Sequence, residues 1–250
     1  MAACRDRPEC RSDLVAAITA RRTKGLAAAS LLHACQELGV EPTTPVSEVW
    51  PEFAQAGKER VTIAEMLSHQ AGLAALTTPA EVMDHDAVVA ALAAQAPAWP
   101  LGEGHGYHPR TFGFLVDETL RRVTGGRTLR EYWRTEFAEP LGLDVWIGLP
   151  PERVKEPASI FPTKVSPPTG DPFYTAFLTP ASLTARAFAS PRGLHSVAAM
   201  NAPEARSASR FPTAFAASML APVLKLSRMS FSSEEADATV RPFASSITCA

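Results

Sequence analysis

Between Lys24 and Leu149 the chain spells out one helix start and stop after another, and this punctuation limits its fold more than any other feature. Residues 25–38 carry Leu26, Leu31, Leu32, Cys35 and Leu38 at helical spacing, and Gly39 follows as a stop. Alanines fill many of the other positions, which suits close packing, so this stripe is read as buried core. Thr62-Ile63-Ala64-Glu65 is a capping box, with Ile63, Met66 and Leu67 as the apolar stripe behind it. Residues 87–94 form a short Ala/Val helix with Asp86 as its expected N-cap. The spacing predicts a strongly periodic helix over 112–123, ended by Gly125-Gly126. A second capping box, Thr128-Leu129-Arg130-Glu131, opens a helix to about Ala138, which Pro140-Leu141-Gly142 stops.

The chain has 250 residues, 46% of them hydrophobic, enough for one large or two small domains. A core of that size needs no metal or disulfide staple. With 24 basic against 26 acidic side chains the net charge is -2, which excludes a general polyanion binder, so no nucleic-acid partner is expected. The sequence has no apolar run of about 18 residues, so no membrane span is expected. The first residues lack the apolar segment of a secretory leader, and a cytoplasmic location is the default expectation. Cys4, Cys10, Cys35 and Cys249 show neither C-x-x-C spacing nor a zinc-type His cluster; Cys35 reads as a small buried hydrophobe. Glu103, His105 and His108 have no second carboxylate nearby and make a poor metal set, so neither metal nor organic cofactor is expected.

After Leu149 the character changes. Pro150, Pro151, Pro157, Pro162, Pro167, Pro168 and Pro172 are expected to form a long loop over 150–180. Residues 214–226 are compatible with a helix, and 230–250 give no assignment. This divides the chain into one domain over 1–212, readable mainly over 20–150, and a poorly defined tail over 213–250.

Three segments, taken in order, resemble the β-lactamase-related serine hydrolases, the group that holds class C β-lactamases, penicillin-binding-type peptidases and family VIII carboxylesterases. Thr23-Lys24-Gly25-Leu26-Ala27 resembles the Lys end of that family's Ser-x-x-Lys motif. Ile63-Ala64-Glu65-Met66-Leu67-Ser68-His69-Gln70-Ala71-Gly72-Leu73 is similar to its helix and turn of the form I-x-x-L-L-x-H-x-S-G-L. The stretch from Gly102 through Tyr107 and Phe112-Gly113-Phe114-Leu115 to Pro140-Leu141-Gly142-Leu143 is similar to its catalytic-Tyr loop, the following helix and the P-L-G stop. Trp50-Pro51-Glu52-Phe53 with Gly57-Lys58-Glu59 points to the esterase-like branch. The resemblance implies an α+β fold: a helical lobe packed on an antiparallel sheet, here incomplete. It implies hydrolysis of a small-molecule ester or amide through an acyl-enzyme. Serine attacks the carbonyl, the lysine one turn later takes its proton, and a tyrosine moves that proton to the leaving group. Carried over by position, the lysine is Lys24 and the tyrosine Tyr107.

The departures bear on activity. The position three before Lys24 holds Arg21, whose guanidinium is always protonated and has no nucleophilic lone pair. Ser12 lies far upstream and Ser30 nearly two turns downstream. Pro109 stands two after Tyr107, where the class C pattern has Asn. After residue 150 there is no Lys-Thr-Gly or His-Thr-Gly, Pro168-Thr169-Gly170 being the nearest, and no Gly-x-Ser-x-Gly elbow occurs. Against the family's length the chain reads as a truncated or divergent copy, catalytically impaired. The alternatives are a non-catalytic remnant or binding protein on the same fold, and an active hydrolase using another serine. Ser68 and His69 are sequence neighbours that do not share a helix face, so His69 is expected to bond backbone at its turn. Arg121, Arg122, Arg127 and Arg130 read as a solvated helix surface.

Overall fold

The computed structural model describes residues 8–155 and 170–207, with side chains from Thr23 onward. The described part is helical: α1 (Pro8–Glu37), α2 (Val46–Val49), α3 (Ile63–Leu67), α4 (His85–Ala94), α5 (Phe112–Val123), α6 (Leu129–Trp133), α7 (Pro172–Leu178), α8 (Leu183–Ala189), α9 (Val197–Asn201) and α10 (Pro203–Ser207). Two isolated bridges, Pro45 with Thr62 and Glu81 with Arg192, are the only β pairing among the described residues. The helical lobe is thus present, and no strand of the expected sheet lies within them. The expected helix at 214–226 and the tail 213–250 lie outside the described residues.

α5 is the axis of the lobe. Every residue from Phe112 to Leu120 is buried, and α1, α2, α3, α4 and α6 all pack against it. Burying Phe114, Leu115 and Leu120 is worth about 1.5–3 kcal/mol each. Polar members are absorbed locally. Thr119 Oγ1 donates to Leu115 O at 2.7 Å, and Asp117 Oδ1 accepts from Leu129 N at 2.6 Å, tying the start of α6 to the middle of α5. Asp117 Oδ2 also lies 3.1 Å from the buried His85 Nε2, an electrostatic contact rather than an aligned hydrogen bond.

The helix signals act as their residues predict. Thr62 and Thr128 each close a reciprocal capping box, with Glu65 and Glu131. Gly39, at φ +69°, sits in a Schellman turn in which Val40 N reaches Cys35 O at 2.8 Å. Gly125, at φ +71°, does the same for α5 through Gly126 N and Arg121 O at 2.7 Å. α6 continues through a π turn over Arg134–Ala138 before Pro140-Leu141-Gly142 ends it.

Three expectations are corrected. The cap of α4 is Asp84, whose side chain accepts from Ala87 N at 3.0 Å; Asp86 lies inside the first turn, 3.3 Å from His85 Nδ1. On α1 the buried stripe is Ala27, Leu31, Ala34 and Cys35, while Leu32 and Leu38 are 40% and 55% exposed. Small alanines let α5 and α6 approach closely, and that turns the larger leucines outward. Pro172 is not in a loop: it occupies the first turn of α7 behind the Asp171 cap, where its missing N–H costs nothing. The arginines at the end of α5 and beyond it lie at the surface as expected, and most are paired there. Arg121 and Arg122 bond Glu118, Arg122 also reaches Glu52, Arg127 bonds Glu136, and Arg130 donates to Gly148 O.

Segment 190–194 closes over the loop after α3. Val82 N donates to Arg192 O, Arg192 N to Ala80 O, and Ser190 Oγ accepts from Leu76 N.

Candidate active site

Lys24 projects from α1 toward the loop that enters α5. Its Nζ donates to Pro109 O at 3.2 Å and lies 5.1 Å from the centre of the Tyr107 ring and 5.8 Å from that of Phe112. The structure therefore brings Lys24 and Tyr107 together, from opposite ends of the readable half of the chain. Pro109 takes part through its main-chain carbonyl. Burial drives the Lys24 amine down from the ordinary lysine range to about 7. Arg21 lies on α1 one turn before Lys24, and its side chain is outside the described atoms.

The Tyr107 loop is clipped to the turn after α3 by backbone. Gly106 N donates to His69 O at 3.1 Å, and His108 N to His69 Nδ1 at 3.3 Å. His69 thus bonds backbone at its turn, as its position predicts. It does so at φ +66°, a left-handed conformation that costs a non-glycine residue about 1–2 kcal/mol. Its ring packs on Tyr107, His108 and Phe112, with centroids 5.2, 5.2 and 4.9 Å away. Burial first, then the charge of Lys24, then His105, pull His69 down to about 4.

His108 is fully buried, and its partners fix its tautomer. Nδ1 donates to Gly106 O at 2.6 Å, and Nε2 accepts from Leu73 N at 2.9 Å. Burial lowers it to about 3, with His69 and Lys24 adding to the effect and the Gly106 bond opposing it. Both nitrogens are committed to main chain, which removes His108 from any metal set. No cluster of three His, Cys, Asp or Glu able to hold a metal ion occurs among the described residues. Two glycines make the close approaches here. A Cβ at Gly106 would come within 2.8 Å of the Trp99 ring, and one at Gly72, which has φ +69°, within 2.6 Å of Pro97.

Sequence reasoning missed three buried polar anchors of the lobe, of which Arg110 adjoins this site. Lys58 is fully buried, its Nζ donating to Gln55 O at 2.7 Å, Ala93 O at 3.0 Å and Gln95 O. Gln95 in turn bonds Ala75 O and Thr77 N. Arg110 is buried beside the Tyr107 loop, donates to Gly193 O at 2.5 Å, and is lowered by burial to about 10. Nothing in residue type marks these cations as interior. Only the Gly57-Lys58-Glu59 wording of the esterase-like branch singled out Lys58. A cleft of about 200 Å³ lies elsewhere, between Trp133, Arg134, Trp146 and Ile147, and Lys24 and Tyr107 do not line it.

The arrangement sets a half-buried amine of lowered basicity beside a phenol ring, with Arg21 one helical turn before the amine on α1. The beta-lactamase family model matches residues 22–240. The chain belongs to that family. It is 38% identical over 133 residues to the esterase/beta-lactamase LipL of Mycobacterium tuberculosis, a match covering 52% of this chain and 30% of LipL. A penicillin-binding protein homolog from Caulobacter crescentus superposes with TM-score 0.56 at 41% identity, over 64% of this chain and 45% of that one. A family VIII carboxylesterase superposes with TM-score 0.63 at 31% identity, over 78% of this chain and 50% of that one. The chain thus spans 30% to 50% of the length of these relatives. No helix among the described residues is long and apolar enough to cross a membrane.

Proposed function

We propose that the Lys24–Tyr107 site is the acyl-transfer site of a β-lactamase-related serine hydrolase of the esterase branch that keeps its base and has lost its nucleophile. The substrate class is a small-molecule ester or amide, and the acyl-enzyme route needs no metal or organic cofactor. Lys24 is the base and Tyr107 the proton relay. The observation that supports this most is the meeting of Lys24 Nζ with the Tyr107 ring, 5.1 Å apart, on a chain with Arg21 one helical turn before the lysine. An amine at about 7 is half unprotonated near neutral pH, as a base must be. A guanidinium at position 21 cannot form an ester intermediate. Turnover of p-nitrophenyl butyrate by the purified chain is therefore expected to be negligible, and turnover abolished by Lys24→Ala would contradict that.

Arg21 equally favours a non-catalytic binding protein on the same fold. Arg21→Ser separates the two. In an intact acyl-transfer site the introduced hydroxyl reacts with a fluorophosphonate probe; in a scaffold kept only for binding it does not.

A further inference from the structure

We propose that Lys24 is itself an acyl acceptor, taking the acyl group of an activated carboxylic ester onto Nζ and keeping it as an amide. This rests on the reading above, in which position 21 offers no hydroxyl to compete for the carbonyl. The geometry supplies the rest. Nζ is anchored on Pro109 O at 3.2 Å and lies along the rings of Tyr107 and Phe112, an apolar wall suited to an aryl or short acyl group. That wall opens to solvent, because Tyr107 is 42% exposed and Lys24 only half-buried.

Lys58 is the internal contrast. It too is a lysine drawn into the protein, but it is wholly enclosed, and three main-chain carbonyls take its three donors. Of the two, only Lys24 can meet a substrate. Lowered basicity leaves its lone pair available at neutral pH.

The step balances without water or a redox partner. The Nζ lone pair attacks the ester carbonyl carbon, and the C–N bond forms. The tetrahedral adduct collapses as the C–O bond to the leaving group breaks. One amine proton passes to the departing oxygen, giving an N-acyl lysine and a free phenol. The amide resists hydrolysis, so the event occurs once per chain.

The test uses the wild-type chain with p-nitrophenyl acetate at neutral pH, following p-nitrophenol release and mapping acetylated peptides over time. The expected result is one equivalent of p-nitrophenol, then arrest. Acetyl should collect on Lys24 about thirtyfold faster than on the exposed Lys155, because an amine at about 7 has a larger unprotonated fraction than an ordinary lysine, and this outweighs its lower intrinsic nucleophilicity. Lys24→Arg, which keeps a long cationic side chain but has no nucleophilic amine, should lose the burst. Acetylation of Lys24 no faster than Lys155, or sustained turnover with Lys24 unmodified, overturns the inference. A parallel fluorophosphonate reaction with Arg21→Ser separates the two levels. Labelling at position 21 with no acetyl on wild-type Lys24 leaves the acyl-transfer site standing and sinks the acceptor role; no reaction in either experiment sinks both.

Discussion

Asp117 is the point where the lobe's architecture can be tested most sharply. Its carboxylate is buried at the centre of α5 and serves two elements at once. Oδ1 accepts from Leu129 N, the first helical amide of α6, at 2.6 Å, and Oδ2 faces His85 Nε2 of α4 at 3.1 Å. Both side chains are almost wholly enclosed, at 1% and 2% exposure, so water cannot replace a lost partner. Asp117→Ala would orphan the Leu129 amide at about 1–3 kcal/mol, and would replace the contact with His85 by a small void at about 1 kcal/mol. We expect a loss of about 3 kcal/mol, or about 6–12 °C in Tm for a chain of this size. Asp117→Asn keeps an acceptor for Leu129 N and fills the same volume, so about 1–2 kcal/mol is expected. Urea denaturation followed by far-UV circular dichroism measures both. A loss below about 1 kcal/mol for Asp117→Ala, or equal losses for the two variants, would refute the view that this carboxylate ties α4 and α6 to α5.

Three further outcomes follow from other parts of the lobe. Gly106→Ala drives a Cβ to within 2.8 Å of Trp99 and strains the backbone clip to His69, so about 1–3 kcal/mol of destabilisation and a shift in tryptophan emission are expected in a thermal melt monitored by fluorescence. Thr128→Ala removes one half of the α6 capping box and should cost about 1 kcal/mol in the same melt. Burial holds Lys58 at about 8, below its value in the unfolded chain, so the unfolded state binds more protons between about pH 8 and 10. Its contribution to stability therefore rises with pH across that window, and the difference in urea midpoint between wild type and Lys58→Met should change in the wild type's favour from pH 8 to pH 10.

Much of the lobe was legible because its signals are local. The reach of α5, from Phe112 to Val123, and both capping boxes depend on residues within a few positions of one another. What was not legible depends on partners far along the chain. Leu32 and Leu38 share helical spacing with Leu31, yet which side of α1 is buried is decided by α5 and α6, and the small residues Ala27 and Ala34 allow the closer approach. Asp84 and Asp86 are equivalent as caps by type; His85 enters the core and takes the first turn with it. Pro172 joins a run of prolines in sequence, and its role at a helix start shows only with Asp171 capping behind it.

The site divides in the same way. Lys24 and Tyr107 were marked by motifs, and their meeting follows from the packing of α1 on α5. The Pro109 carbonyl that accepts from Lys24 is a main-chain group, which side-chain motifs do not report. The buried cations Lys58 and Arg110 carry side chains ordinarily found at surfaces, and only the carbonyls arranged around them reveal where they lie.

The central claim is that this site holds a base and a proton relay but no nucleophile. Peptide mapping of fluorophosphonate-treated wild type and Arg21→Ser tests it most directly. The wild type should carry no serine label and the variant a single label at position 21, lost again when Lys24→Ala is added. An unlabelled Arg21→Ser variant that folds as the wild type does, or a wild-type chain labelled on another serine, would contradict it.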